Sequence, residues 1–434
     1  MADPGMSVTP YWELTFDADG DVDGPERDRL LTQVTDRGVR DLIVFAHGWN
    51  NDRSGATALY RAFFAPVPGL APTARIGYVG VIWPSMRFCD EPIPDFPRSV
   101  AAAAAQAVPG PALDKDTRRA LLDAFPGRTT VLDRLARMLD EQPAGDEGPA
   151  EFGRLVRLLA DSPRTAAAGD TSGDEGEPLV FGGEAGAACA EFAGALAGLG
   201  APREPAGFAL PNPWDGAKEL LRQATYYTMK KRAGTVGERG LGPFVGRLAA
   251  AAPGVRVHLV GHSFGGRLVS FGLRGLPGGV RTVKSVTLLQ GAFSHYAFAA
   301  RLPGAADTAG ALAGLQERID GPLVCCHSRF DAALGTFYPL ASRMSGDDRS
   351  VAGFDVGRAL GARWGAMGHD GVQAVPGTAA HDLAVALRGP LPASGCVNVD
   401  AAAVVCRGGG PAGAHSDILH PELARLVLAA GRIR

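Results

Sequence analysis

Along the first third of the chain, continuous apolar runs alternate with segments whose apolar residues recur at helical spacing. YWELTF (11–16), RDLIVFAHG (40–48) and RIGYVGVIWP (75–84) read as strands. Between them PERDRLLTQVTDRG (25–38) and ATALYRAFF (56–64) read as helices, the first with Pro25 near its first turn and Gly38 past its end. Strands that are apolar throughout must be buried on both faces, which predicts a parallel sheet with helices on either side. The alternation resumes with helices over 215–232 and 241–252, strands over 281–290, 321–328 and 396–406, and a closing helix over 421–431. The expected fold class is α/β, a doubly wound and mostly parallel sheet.

Residues 85–214 break the pattern. Pro-, Gly- and Ala-rich pieces, including a loop at GDTSGDEGEP (169–178), separate short amphipathic segments at 116–125, 130–142, 151–162 and 188–200. Leu132, Leu135, Met138 and Leu139 fall on one helical face, as do Phe152, Leu155, Val156 and Leu159. This predicts a helical insertion, 85–214, between the two parts of a core domain, 8–84 and 215–434. An insertion that leaves one strand's C-terminal end and returns before the serine is expected to cap a pocket, the alternative being an accessory layer that only packs.

A formal net charge of −3 supplies no electrostatic footprint for nucleic acid or an anionic membrane surface. No run of about 18 apolar residues is present to span a bilayer. MADPGMSVTPYWEL lacks the charged and apolar regions of a signal peptide, so a cytoplasmic location is expected. The cysteines (Cys89, Cys189, Cys325, Cys326, Cys396 and Cys406) form no C-x-x-C pair. Two lie side by side in PLVCCHS, which favours buried thiols in a reducing compartment. Cys396 and Cys406 flank one predicted strand, whose length would hold them apart.

Chemistry concentrates in VRVHLVGHSFGGRLVSFGLRG (255–275). Val255, Val257, Leu259 and Val260 form a strand pattern; Leu268, Val269, Phe271 and Leu273 form a helix pattern. At the corner stands G-x-S-x-G: Gly261-His262-Ser263-Phe264-Gly265. A serine on a sharp strand-to-helix turn needs neighbours without a Cβ. Its hydroxyl then stands clear of the backbone at the positive end of a helix. A phosphate-binding loop would end in Lys-[ST], which is lacking here. Gly408–Gly413 matches G-x-G-x-x-G only formally, because a histidine loop follows it where a helix should begin. No H-E-x-x-H occurs, and Cys326-His327 have no partners at zinc spacing. Neither a cofactor nor a metal is expected.

Over about 40–84 and 215–432 the sequence resembles the serine hydrolases of the α/β-hydrolase superfamily, and within it a bacterial branch with an HGWN motif, here His47-Gly48-Trp49-Asn50. The resemblance implies a triad in the order Ser, Asp, His. Its acid would follow the penultimate strand, where PLVCCHSRFDAALG offers Asp331; Asp320 lies at the wrong end of that strand, and GAFSHYAF after VTLLQ has no carboxylate. Its base would follow the last strand. His415 lies there, in RGGGPAGAHSDILHPELARL, with His369 and His381 as alternatives and His420 as a helix-entry residue. The oxyanion would be held by the backbone N–H groups of Phe264 and Trp49. His47 and Gly48 would shape that loop with Asn50 and Asn51, and His262 would be structural. The implied activity is hydrolysis of a carboxylic ester or related acyl bond of a small molecule, esterase- or lipase-like, through an acyl-enzyme. An acyltransferase would use the same triad. A binding module that kept the fold would have lost a triad member, and none is missing.

Overall fold

Leu42, Val44 and Ala46 bury into one hydrophobic core, while Ile43 and Phe45, one residue out of phase, bury into another. That two-residue alternation, apolar on both sides, is what a central strand of a covered sheet requires. The computed structural model describes residues 5–86, 88, 112–160, 186, 189–190, 193–194, 212–303, 307–334, 365–408 and 413–434. The expected loop at 169–178 and most of the amphipathic segment 188–200 lie outside them.

The chain begins with β1 (Tyr11–Thr15), α1 (Gly24–Asp36), β2 (Asp41–Ala46), α2 (Arg53–Phe64) and β3 (Ile76–Ile82). Three helices follow: α3 (Lys115–Ala124), α4 (Thr129–Glu141) and α5 (Glu147–Ala160). Then α6 (Pro213–Thr235) runs through a π-helical turn, Val236–Leu241, into α7 (Gly242–Ala251). The serine region supplies β4 (Arg256–His262) and α8 (Phe264–Arg274), followed by β5 (Val283–Leu289) and β6 (Pro322–His327). The chain closes with β7 (Ala379–Asp382), α9 (Leu383–Arg388), β8 (Gly395–Asp400) and α10 (Pro421–Gly431).

Among the described residues these strands form one eight-stranded sheet, ordered β1-β3-β2-β4-β5-β6-β8-β7. Every pairing is parallel. The protein is an α/β structure. One core holds apolar side chains of α1 and α3–α8 against the sheet; the other holds those of α2, α9 and α10. Between β2 and β4 the chain changes the direction in which it adds strands, and in open parallel sheets a crevice forms outside the carboxyl ends at such a point.

Local chemistry sets the helix starts. Asp23, Asp52, Asp114 and Asn212 each accept a hydrogen bond from a first-turn N–H of the helix they precede. Gly38, at φ 63°, follows α1 in the left-handed region that glycine adopts without strain.

Three sequence expectations change. The strand expected over 396–406 ends at Asp400, whose carboxylate accepts the Ala402 N–H at 2.8 Å. Beyond it Ala401–Val405 fold as a turn, with Ala401 and Val405 buried in the second core. β7 was not expected, because AAHD has no apolar alternation; as an edge strand it needs none. The helices expected over 215–232 and 241–252 are one helical run joined by the π turn. No described helix is long and apolar enough to cross a membrane.

Candidate active site

The carboxyl ends of β2, β4, β6 and β8 supply four loops that meet. β4 delivers Ser263, whose backbone sits at φ 55°, ψ −120°, a region that costs a non-glycine residue about 1–3 kcal/mol. The surroundings enforce the turn. A Cβ on Gly261 would lie 2.3 Å from the Gly265 carbonyl oxygen, and one on Gly265 would lie 1.9 Å from that of Ala46. Glycine is therefore required at both positions, and the G-x-S-x-G spacing is a consequence of close approach.

The hydroxyl of Ser263 lies 2.9 Å from Nε2 of His415, and Nδ1 of His415 lies 2.7 Å from Oδ2 of Asp331. With neutral imidazole the only consistent assignment has Ser263 donating to Nε2 and the Nδ1–H donating to the carboxylate. Asp331 is fully buried, while Ser263 and His415 retain 7% and 9% exposure. The second carboxylate oxygen accepts the Leu334 N–H at 3.1 Å, so the acid cannot rotate away without losing that bond. Three residues expected to act together, 152 and 84 positions apart in the two contacts, form one hydrogen-bonded chain.

The loops carrying Asp331 and His415 are tied to each other. The Ala414 N–H donates to the Phe330 carbonyl at 2.8 Å, and the Ser328 hydroxyl donates to the Val405 carbonyl at 2.6 Å. Gly413 has φ 57°, and a Cβ there would sit 2.5 Å from the Phe330 oxygen. Asp417 accepts the N–H groups of Cys406 and Arg407 at 3.0 and 2.8 Å, pinning the far end of the loop. Asp417 carried no sequence signal of this role; for Gly413 the available hint was a glycine shortly before His415.

The loop after β2 presses against the elbow. A Cβ on Gly48 would lie 2.9 Å from that of Ser263. Trp49 lies 6.3 Å from the Phe264 ring and 5.6 Å from Tyr226 of α6, and Tyr226 lies 4.6 Å from Phe264. Tyr226 was not singled out from sequence, since one tyrosine on an amphipathic helix carries no signal. Among the described residues the N–H groups of Trp49 and Phe264 donate to no other protein group. His47 stacks on Trp83 at 5.5 Å, and its Nδ1 donates to the Gly48 carbonyl at 2.8 Å. Asn50, at φ 62°, accepts the Phe88 N–H at 2.7 Å. Those contacts hold the loop; none places His47 on Ser263.

The alternative bases sit elsewhere. His369 is hydrogen-bonded to Asp370 at 2.7 Å, and His295 approaches the other oxygen of that carboxylate at 3.2 Å. Burial pushes the Asp370 carboxyl toward a higher pKa, but the hydrogen bonds of His295 and His369 outweigh it and hold the carboxyl well below its usual range. His381 lies in β7, and His420 stands at the entry to α10 with its Nε2 2.8 Å from Asp417. A second Ser-His-Asp chain exists at the opposite end of the sheet. His258 contacts Asp41 Oδ1 at 3.0 Å and Ser285 Oγ at 2.9 Å, all three almost wholly buried. It has the connectivity of a triad without a route to solvent.

Burial pushes the thiols of Cys326 and Cys396 up to about 12, which disfavours the reactive thiolate. Among the described residues no group of three or more His, Cys, Asp or Glu is placed to hold a metal ion. A groove of about 260 Å³ runs beside edge strand β1, lined by Glu13, Glu26 and Arg53 among others, and no triad residue lines it. Its carboxylates Glu13 and Glu26 are both bonded to Arg53. No protein-family model matches the chain, and no curated protein or solved structure matches it either.

Proposed function

We propose that the protein is a serine hydrolase of the α/β-hydrolase type that cleaves a carboxylic ester, or a related acyl bond, of a small molecule. One observation carries the reading: the Ser263–His415–Asp331 chain, at 2.9 and 2.7 Å, stands on a strained elbow at the change of strand direction. Hydrogen-bond reach to a base, and a base oriented by a third group, are what an unactivated hydroxyl needs to become a nucleophile. Support also comes from the loop order, with nucleophile after β4, acid after β6 and base after β8.

In this mechanism Ser263 Oγ attacks the ester carbonyl as His415 Nε2 takes its proton. Asp331 holds the ring in the Nδ1–H tautomer and stabilises the imidazolium that forms. The tetrahedral oxyanion is held by the Trp49 and Phe264 N–H groups at the α8 N-terminus. Collapse expels the alcohol, which receives the proton from His415. Water, deprotonated by the same imidazole, then cleaves the acyl-enzyme and regenerates Ser263. The partly buried rings of Trp49 and Tyr226 beside the elbow favour an apolar acyl or alcohol group, hence an esterase- or lipase-like preference.

The test is labelling by a fluorophosphonate probe together with a panel of p-nitrophenyl esters of increasing chain length. The wild type should label and turn over esters, and Ser263→Ala should do neither while keeping its fold by circular dichroism. Labelling that survives in Ser263→Ala, or a wild type inert to both reagents, overturns the reading.

A further inference from the structure

The residue preceding the nucleophile carries a hydrogen bond that the triad alone does not account for. His262 is 1% exposed, and its Nε2 lies 3.0 Å from the main-chain oxygen of His415. A carbonyl oxygen only accepts, so Nε2 bears the proton and donates. The two imidazoles are 5.2 Å apart between ring centres. A Cβ on Gly48 would meet His262 Nδ1 at 3.2 Å, so the same ring also abuts the loop after β2.

These contacts form a closed arrangement. Ser263 reaches the His415 side chain, and its neighbour His262 reaches the His415 main chain. Bonds of Ala414 and Asp417 anchor the loop on either side of residue 415, but the His415 peptide can still rotate between them and carry the ring with it. Fixing the carbonyl as well removes that freedom. The donor comes from β4, whose end is already locked by Gly261 and Gly265. The base is thus referenced to the same strand that carries the nucleophile.

We infer that His262 is a positioning residue, which sets the distance between His415 Nε2 and Ser263 Oγ by holding the His415 main chain. The inference rests on the hydrolase reading above. Its effect belongs in the chemical step, because His262 is buried and bonded to the main chain of His415; kcat should change and KM should not.

Three variants test it. His262→Phe fills similar volume without a donor. His262→Gln carries an amide N–H at about the reach of Nε2, and His262→Asn carries one only at the reach of Nδ1. Steady-state kinetics on a p-nitrophenyl ester and the rate of fluorophosphonate labelling are read for each. The Phe and Asn variants should lose about ten- to a hundredfold in kcat, the scale of a small misplacement of reacting groups. KM should stay near wild type, and Gln should recover most of the loss. Wild-type kcat in the Phe variant, or Gln and Asn falling alike, overturns the inference. If Phe does not fold, the Gln and Asn comparison decides by itself. A wild type that never labels at Ser263 brings down the hydrolase reading and this inference together. One that labels, beside a Phe variant labelling equally fast, brings down the inference alone.

Discussion

At the scale of single residues, the decisive feature is a backbone conformation that a serine would not choose. Ser263 at φ 55° stores strain that its neighbours impose. Ser263→Gly should relieve it, raising stability by about 1 kcal/mol after the entropy cost of glycine is subtracted. Calorimetry should show a higher Tm for Ser263→Gly than for Ser263→Ala, which keeps the strain; a lower one would contradict it. The acid offers a second residue-level expectation. Asp331→Asn can present an N–H to Nδ1 of His415, forcing the proton onto Nε2, where it blocks acceptance from Ser263. Ester turnover should fall by a factor on the order of 10⁴ with the fold retained, since the remaining oxygen can still accept from Leu334. The serine and its glycines were legible in the sequence because strand, turn and helix are local patterns. His262 was legible only as a structural residue, since its partner lies 153 positions away.

Among elements, the helical run α6–π–α7 shows how close packing overrides a local pattern. Gly237 lies in the π turn, where a Cβ would meet the Leu268 carbonyl oxygen of α8 at 2.1 Å. Gly242 and Gly275 make a similar approach, the added Cβ on Gly242 falling 2.7 Å from the Gly275 Cα. The run therefore lies directly on the helix that begins after Ser263. Gly237→Ala must push α8 away, and we expect a loss of about 1–3 kcal/mol, the range of overpacking in a rigid core, read as an early denaturant midpoint. An unchanged midpoint would show that the contact yields. Apolar spacing at 215–232 and 241–252 marked two helices correctly, but their fusion depends on α8, which neither segment encodes. The same limit applies to β8: AAAVV has strand-like residues, yet burial of Ala401 and Val405 in the second core favours a turn.

At the scale of the molecule, the sheet is secured at the end opposite the candidate site. Arg256 bridges Asp41 at 3.0 Å and also donates to the Gly431 carbonyl, joining the starts of β2 and β4 to the end of α10. His258 completes this clasp. Burial lowers its basicity, and Arg256 and Lys284 add to that; the hydrogen bond and charge of Asp41 oppose it and are outweighed. His327 is shifted the same way, chiefly by burial, with Asp400 and Asp370 opposing. A histidine titrating lower in the folded than in the unfolded chain binds fewer protons when folded. Its contribution is present above about pH 6.5 and is lost as pH falls toward the folded value. Tm should therefore drop as pH is lowered from about 7 to 5, and His258→Gln should show a shallower drop over the same interval. Equal slopes would remove His258 from the cause.

By itself, the sequence determined the class of fold, the covered sheet and the elbow, because hydrophobic period and glycine spacing act over a few residues. Asp331 and His415 were marked as candidates by what the resemblance implies for the loops after successive strands. Only the tertiary structure decided that these two side chains reach Ser263 and that His369 bonds Asp370 instead. It also set where β8 stops and how α6 and α7 join, and it brought His262 onto the carbonyl of His415. Each of those outcomes turns on a contact between segments distant in the chain, whose energy exists only once the sheet has placed their loops at one edge.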